Sequence, residues 1–297
     1  MTSPNSTQHM IFIFVDGLGI NPGEDGNPFT DDSLQILRVL GPARIPIESD
    51  GFICKGIDAC LGMGDMPQSS TGQTALFTGI NPKPVVQRHI SGFPTFSLRK
   101  ILHAHIIFRQ LQNCGKTTLF ANAYHREYFD RREAMLSATT HAVLATENPQ
   151  FLMLEDLRRE NAIFADITND YLIREGYDIQ RFTPEKAAGI LRKISRQNDF
   201  VLFEIPFLDA LGHKQDREKL EIGIRELDLF LSALTGTIPP DTLILMSSDH
   251  GNIEDLTVKT HTSNPVPLMV WGKGARTFSG KIESIEDITP AIIDYLK

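Results

Sequence analysis

The chain has 297 residues, with 37 acidic against 29 basic side chains and a formal charge of −8. That length suits one large domain or two small ones, and the acidic balance argues against nucleic acid as a general partner, which needs surplus cations. Three cysteines, Cys54, Cys60 and Cys114, are too few for a disulfide framework or a thiolate zinc site and fit a reducing, cytoplasmic setting. No apolar run approaches the roughly 20 residues of a membrane helix. Residues 1–8 read as a polar tail without the basic-then-apolar pattern of a leader.

Residues 9–15 (HMIFIFV) form a short apolar run that stops at Asp16-Gly17, the pattern of a buried strand with a loop at its carboxyl end. Residues 117–123, 199–206, 242–247 and 266–271 repeat it. Between these runs lie helical patterns at 98–111, 184–194 and 288–296. The clearest is built by Leu220, Ile224, Leu227, Leu231 and Leu234, three or four apart on one face. Alternating strands and helices predict an α/β fold: a largely parallel central sheet with helices on both faces. Residues 9–297 are expected to form a single domain. Residues 84–182 are less regular, with few strand signals after Ala123, and are expected to hold a small cap-like insertion. The charged stretches at 126–133 and 155–160 read as solvated helix faces.

In an open α/β sheet, ligands bind beyond the carboxyl ends of the strands. Asp16 follows the first strand. Asp209 and His213 follow the run ending near Pro206, at the i, i+4 spacing that joins them on a helix. Asp249 and His250 follow 242–247, and His261 precedes Val266. Alone, each has an ordinary reading as a cap, a turn former or a surface histidine. Those readings do not explain why four distant segments share one placement. Imidazole with carboxylate, and no thiolate, suits Zn²⁺ or Mn²⁺ before Mg²⁺. Six ligands are too many for one open catalytic ion and divide into two sites. Such a pair can hold both the attacking and the leaving oxygen of an in-line displacement at phosphorus.

The hydroxyl candidates are Ser69, Ser70 and Thr71, which open a helical run closed by Gly79; Pro67 keeps the approach extended. A helix N-terminus favours a phosphoryl dianion, and metal coordination activates a serine without a histidine base. A plain N-cap serine is the competing reading.

Val15-Asp16-Gly17, Gln68-Ser69-Ser70-Thr71-Gly72-Gln73, Asp209-Ala-Leu-Gly-His213, Ser248-Asp249-His250-Gly251-Asn252 and His261-Thr-Ser-Asn-Pro-Val-Pro267 resemble, in that order, the alkaline phosphatase superfamily. They are closest to its branch containing cofactor-independent phosphoglycerate mutase and phosphopentomutase. The resemblance covers 10–82 and 183–297. It implies an alkaline-phosphatase-like sandwich and a metal-dependent phosphate-ester enzyme acting on a small phosphorylated substrate. It also implies one divalent cation on Asp209, His213 and His261 and a second on Asp16, Asp249 and His250. Counting back three positions from Gly72 makes Ser69 the nucleophile, bound to the second cation, with Ser70 as fallback. Two departures stand out. Gln73 replaces a histidine of the mutases, and the interval between Ser69 and Asp209 is too short for the large inserted mutase domain.

Asn252 and Glu254 are expected to support ligands. Lys214, His125 and Arg126 could meet a phosphate, although exposed cations are the simpler reading; His89, His103, His105 and His141 match no motif. Three other enzyme classes fit less well. A serine hydrolase would need a Gly-x-Ser-x-Gly elbow around Ser69. A dinucleotide fold would need a third glycine where Pro22 stands. A mononuclear iron oxygenase would use Asp209, His213 and His261 but leave Asp16, Asp249 and His250 unexplained. A non-catalytic metal-binding relative would not require every core motif to be intact.

Overall fold

The structure, a computed structural model, describes residues 8–297. Of the tail expected at 1–8, all but Gln8 lies outside the described residues. The first part of the chain forms β1 (His9–Val15), β2 (Ile47–Glu48), β3 (Phe52–Ile57), α1 (Ser69–Thr78), α2 (Lys83–Val86), α3 (Phe96–His105) and α4 (Ile107–Asn113). The middle forms β4 (Thr118–Phe120), β5 (Ala123–Tyr124), α5 (Ala138–Leu144), β6 (Leu152–Met153), α6 (Leu154–Arg158), α7 (Asp170–Arg174) and α8 (Pro184–Ser195). The last part forms β7 (Phe200–Ile205), α9 (Phe207–Lys214), α10 (Arg217–Thr235), β8 (Thr242–Ser247), β9 (Val266–Trp271), α11 (Ala275–Ser279) and α12 (Ile288–Leu296).

Seven strands make one sheet in the order β2-β3-β9-β8-β1-β7-β4. β1 is central and parallel to both β7 and β8. β4 is parallel to β7. β9 runs antiparallel to β8, β3 antiparallel to β9, and β2 antiparallel to β3. β4, β7, β1, β8 and β3 therefore point one way, with β9 and β2 reversed. The sheet is largely parallel, as its apolar runs suggest, but the reversal of β9 is invisible in the sequence because it leaves hydrophobicity unchanged.

Alternate residues of β1 feed two cores. Ile11, Ile13 and Val15 pack with Leu191 of α8 and Leu220, Leu227 and Leu231 of α10. Met10, Phe12 and Phe14 pack with Leu76 of α1, Leu111 of α4 and Ile292 of α12. Helices thus cover both faces. Leu220, Leu227 and Leu231 of α10 are fully buried, each worth about 1.5–3 kcal/mol relative to exposure. One polar residue interrupts that face: Asp228 accepts the backbone N–H groups of Gln35, Ile36 and Leu37 at 2.8, 2.8 and 2.7 Å.

Two expected elements are divided. The strand read at 117–123 splits into β4, which joins the main sheet, and β5, which pairs with β6 in a separate two-stranded sheet. Asn122 stands at the fork. Its amide donates to the Glu204 carbonyl at 2.7 Å and its oxygen accepts the Glu204 N–H at 2.9 Å, replacing the lost ladder. The helix read at 98–111 breaks at Ile106, which is extended (φ −61°, ψ 138°). Ile106, Ile107 and Phe108 are all buried. Three consecutive residues of one continuous helix cannot share a face, so the break lets the whole triplet reach the core.

Candidate metal centre and nucleophile

The register aligns the ends of the central strands, with Phe14 level with Glu204 and Ser247. The segments carrying Asp16, Asp209 and Asp249 therefore leave the sheet along one edge. The reversed β9 begins at that same edge, which explains why His261 precedes its strand while the other residues follow theirs. β3 ends there too, with Ile57 beside Val266. The segment after it leads to the N-terminus of α1.

Two glycines let these pieces approach. A Cβ on Gly72 would lie 2.6 Å from the Asp249 carbonyl oxygen, so α1 can press against the 249 loop only without a side chain. Gly17 has φ +73°, and a Cβ there would lie 2.5 Å from Asp209 Oδ1.

The six predicted residues converge. Ligand atoms of Asp16, Asp249 and His250 all lie within 4.8 Å of one another, and so do those of Asp209, His250 and His261. His213 joins from α9: its Nε2 is 2.9 Å from His261 Nε2 and 3.3 Å from Asp209 Oδ2. The His250 and His261 rings stack with centroids 3.7 Å apart. His250 Nε2 reaches Asp16 Oδ1 at 3.3 Å and Asp249 Oδ2 at 3.5 Å.

Of the three hydroxyls, that of Ser69 faces the cluster, 3.0 Å from His250 Nε2. Ser70 Oγ donates to the Gly92 carbonyl at 2.6 Å. Thr71 Oγ1 donates to the Gln68 carbonyl at 3.0 Å and lies 2.8 Å from His89 Nδ1. His89, which matched no motif, thus anchors the first turn of α1 and reaches the Cys60 carbonyl through its other nitrogen at 3.1 Å.

The donor arrangement fits divalent cations. His213 Nδ1 faces the Lys259 carbonyl at 3.3 Å and His261 Nδ1 the Pro67 carbonyl at 2.9 Å. Those contacts assign the ring protons to Nδ1, which leaves two Nε2 lone pairs nose to nose. A cation between them turns that repulsion into coordination. Asp16 Oδ1 is buried with His250 Nε2 at 3.3 Å beside it, another acceptor suited to a cation.

The electrostatics agree. Burial, then the charge of Asp249, holds the Asp16 carboxyl well above its usual range. Burial also raises Asp249, with Asp209 adding to it and His250 opposing. Burial alone would lower His250, but Asp249, Asp16 and Asp209 outweigh it and carry the imidazole to about 10. His250 thus faces the buried carboxyls of Asp249, Asp16 and Asp209, whose negative charge bound cations would take up. Burial, followed by the charge on His250, lowers His261 to about 4 and keeps it in the neutral form that ligates metal.

The supporting residues stand as expected. Asn252 Nδ2 donates to Asp209 Oδ1 at 2.7 Å. Glu254 accepts from the Gly19 and Asn252 N–H groups at 3.0 and 2.7 Å, from Asn264 Nδ2 at 3.1 Å and from Thr262 Oγ1. Lys214 and Arg126 are exposed. His125 pairs with Glu127 at 3.1 Å.

The roles of two neighbours escaped the sequence reading. Gln73 Nε2 bridges Asp249 Oδ2 at 3.0 Å and Asp16 Oδ2 at 3.4 Å. Its position one helical turn after Ser69 was the signal. Glu204 is the sole charged residue in the buried run of β7. It accepts the Thr139 hydroxyl at 2.6 Å, and burial, with Asp249 adding to it, raises its carboxyl to about 7.

Over residues 8–297 the chain matches the model of the Metalloenzyme superfamily, and it belongs to that family. It is 29% identical over 108 residues to a phosphopentomutase of Alkaliphilus oremlandii, an alignment covering 35% of this chain and 28% of that relative. With a 2,3-bisphosphoglycerate-independent phosphoglycerate mutase of Methanopyrus kandleri it shares 31% over 130 residues, 42% of this chain and 29% of the other. The chain thus matches under a third of the length of these curated relatives. Its fold is that of an alkaline phosphatase from the Antarctic bacterium TAB5, with a TM-score of 0.55, 13% identity, and 98% and 99% of the two chains covered.

Proposed function

We propose that this protein is a metal-dependent phosphate-ester hydrolase using Ser69 as nucleophile and two divalent cations, Zn²⁺ or Mn²⁺ before Mg²⁺. One observation carries the reading: the Ser69 hydroxyl opens α1 and points, at 3.0 Å from His250, into a buried nest of carboxylate and imidazole. Asp209, His213 and His261 would hold one cation, and Asp16, Asp249 and His250 the other. Bound there, the cations would supply Lewis-acid stabilisation of the attacking and leaving oxygens.

The chain's own groups do the rest. Ser69 Oγ bonds to phosphorus as the ester P–O bond breaks, and the departing alcohol takes up the proton that Ser69 gives up. The free N–H groups of the first turn of α1 face the phosphoryl oxygens. Gln73 holds Asp16 and Asp249 in register, and Asn252 does the same for Asp209. Water then attacks the phosphoserine, releasing inorganic phosphate and restoring the hydroxyl. Residues 9–297 act as one catalytic unit, with 84–182 walling the site. The substrate is a small phosphorylated molecule, and the free cysteines fit a cytoplasmic setting. No described helix is long and apolar enough to cross a membrane.

A phosphomutase is the second reading, favoured by the names of the relatives above. A panel of phosphate monoesters, phosphodiesters and sulfate esters, with Zn²⁺, Mn²⁺ and Mg²⁺ supplied separately, separates them, with pentose phosphates and phosphoglycerate run alongside. Release of inorganic phosphate is expected, and Ser69→Ala should abolish it while metal content stays near that of the parent. Isomerised sugar phosphate without phosphate release would establish the mutase instead. Full activity in Ser69→Ala would remove that serine from the mechanism.

A further inference from the structure

A cavity of about 270 Å³ is walled by Phe93, Tyr124, Tyr128 and Phe164, with Glu204, Arg131 and Pro206 among its remaining residues. Its position ties it to the chemistry. Phe93 follows Gly92, which receives the hydroxyl of Ser70, the residue after Ser69, and Pro206 caps the start of α9, which carries Asp209. Glu204 is level with Phe14 on the strand that precedes Asp209, and its carboxyl feels the charge of Asp249.

The polar groups of this cavity are largely committed elsewhere. The hydroxyls of Tyr124 and Tyr128 both bond Thr140 Oγ1, at 3.1 and 2.8 Å. Glu204 takes the Thr139 hydroxyl. What remains for a ligand is chiefly aromatic carbon, with the Arg131 guanidinium. Arg131 lies over the Tyr128 ring, its Cζ 4.7 Å from the centroid, and brings a positive charge to the same walls. A polyhydroxylated group placed here would surrender its water and find few partners. A flat ring suits a lining of aromatic side chains. The volume admits a single ring system rather than an extended chain.

We propose that this cavity is the leaving-group pocket and that the preferred substrate is a phosphate ester whose alcohol carries an aromatic ring. The inference rests on the phosphate-ester reading above.

The test uses the full chain loaded with Mn²⁺ or Zn²⁺. Benzyl phosphate is compared with methyl phosphate and glycerol phosphate, all esters of primary alcohols, so that leaving-group reactivity does not favour the aryl case. In parallel, titration calorimetry compares the inert benzylphosphonate with methylphosphonate. Benzyl phosphate should lead in kcat/KM by about tenfold, the scale of a filled apolar subsite. Benzylphosphonate should bind more tightly by a similar factor. Phe93→Ala, at an exposed position, should erode the benzyl-to-methyl ratio mainly through KM, and Phe164→Leu should do the same from the opposite wall. Equal or better use of glycerol phosphate would overturn the pocket assignment while leaving the hydrolase reading intact. So would a benzyl-to-methyl ratio that neither variant changes. Tighter binding of benzylphosphonate without turnover of any ester would leave the pocket standing and defeat the hydrolase reading.

Discussion

Replacing Glu204 by glutamine should make the metal-free protein more stable at pH 8 and leave it unchanged near pH 4. The carboxyl lies within the buried run of β7. Burial, then the charge of Asp249, lifts it from an ordinary 4.5 to about 7. A raised carboxyl contributes stability that is fully present below the unfolded value and is lost as pH rises through the folded one. The window is therefore about 4.5 to 7. Each pH unit between the two values is worth about 1.4 kcal/mol, so the native state loses on the order of 3 kcal/mol across it. Glutamine keeps the size and an oxygen to accept the Thr139 hydroxyl but has no charge to bury. Urea unfolding in chelator at several pH values should show the two proteins diverging as pH rises from 4.5 and running parallel above 7. Curves parallel throughout, or an advantage for glutamine only at low pH, would refute the assignment of the burial cost to this carboxyl.

His261→Ala, or Asp249→Asn, should bring bound metal below two ions per chain by elemental analysis; an unchanged two would remove that residue from the ligand set. Asp228→Ala should cost about 2–4 kcal/mol by the same urea assay, because it strands the backbone N–H groups of Gln35, Ile36 and Leu37. A loss within 0.5 kcal/mol, the ordinary range of about ±0.5 for surface changes, would show that solvent replaces the carboxylate there.

The clustering of these side chains was legible in the sequence because its logic is one-dimensional. Each central strand is an apolar run, the side chain that follows it stands at the sheet edge, and Asp209 to His213 is one helical turn. Ser69 was harder, since three adjacent hydroxyls share a helix start. Only partners far away in sequence, His89 for Thr71 and Gly92 for Ser70, show which of the three remains to face the cluster. Strand direction was not legible. β9 and β8 have the same all-buried pattern, and nothing in hydrophobicity distinguishes up from down. β3 went unread for a related reason: Lys55 and Gly56 interrupt its apolar run, and its pairing with β9 is fixed by register. Glu204 was visible as a lone acid in a buried run. Reading it needed the question of what a charge does where no water reaches.

Gln73 shows how the site's chemistry shapes its packing. At the position where the resembling mutases carry histidine, an imidazole could add a ligand or a positive charge beside Asp16 and Asp249. The amide adds neither. It donates to both carboxylates while leaving their negative charge in place, and that charge is what cations would neutralise. With Asp16 Oδ1 buried and met by His250 at 3.3 Å and two imidazole nitrogens opposed at 2.9 Å, the arrangement suits a receptor for positive charge. A protonated His250 meets that need in part, as its rise to about 10 shows. The raised carboxyls of Asp16 and Asp249 express the same crowding of buried negative charge, which bound cations would relieve. The Ser69 hydroxyl stands at the edge of that cluster, 3.0 Å from His250.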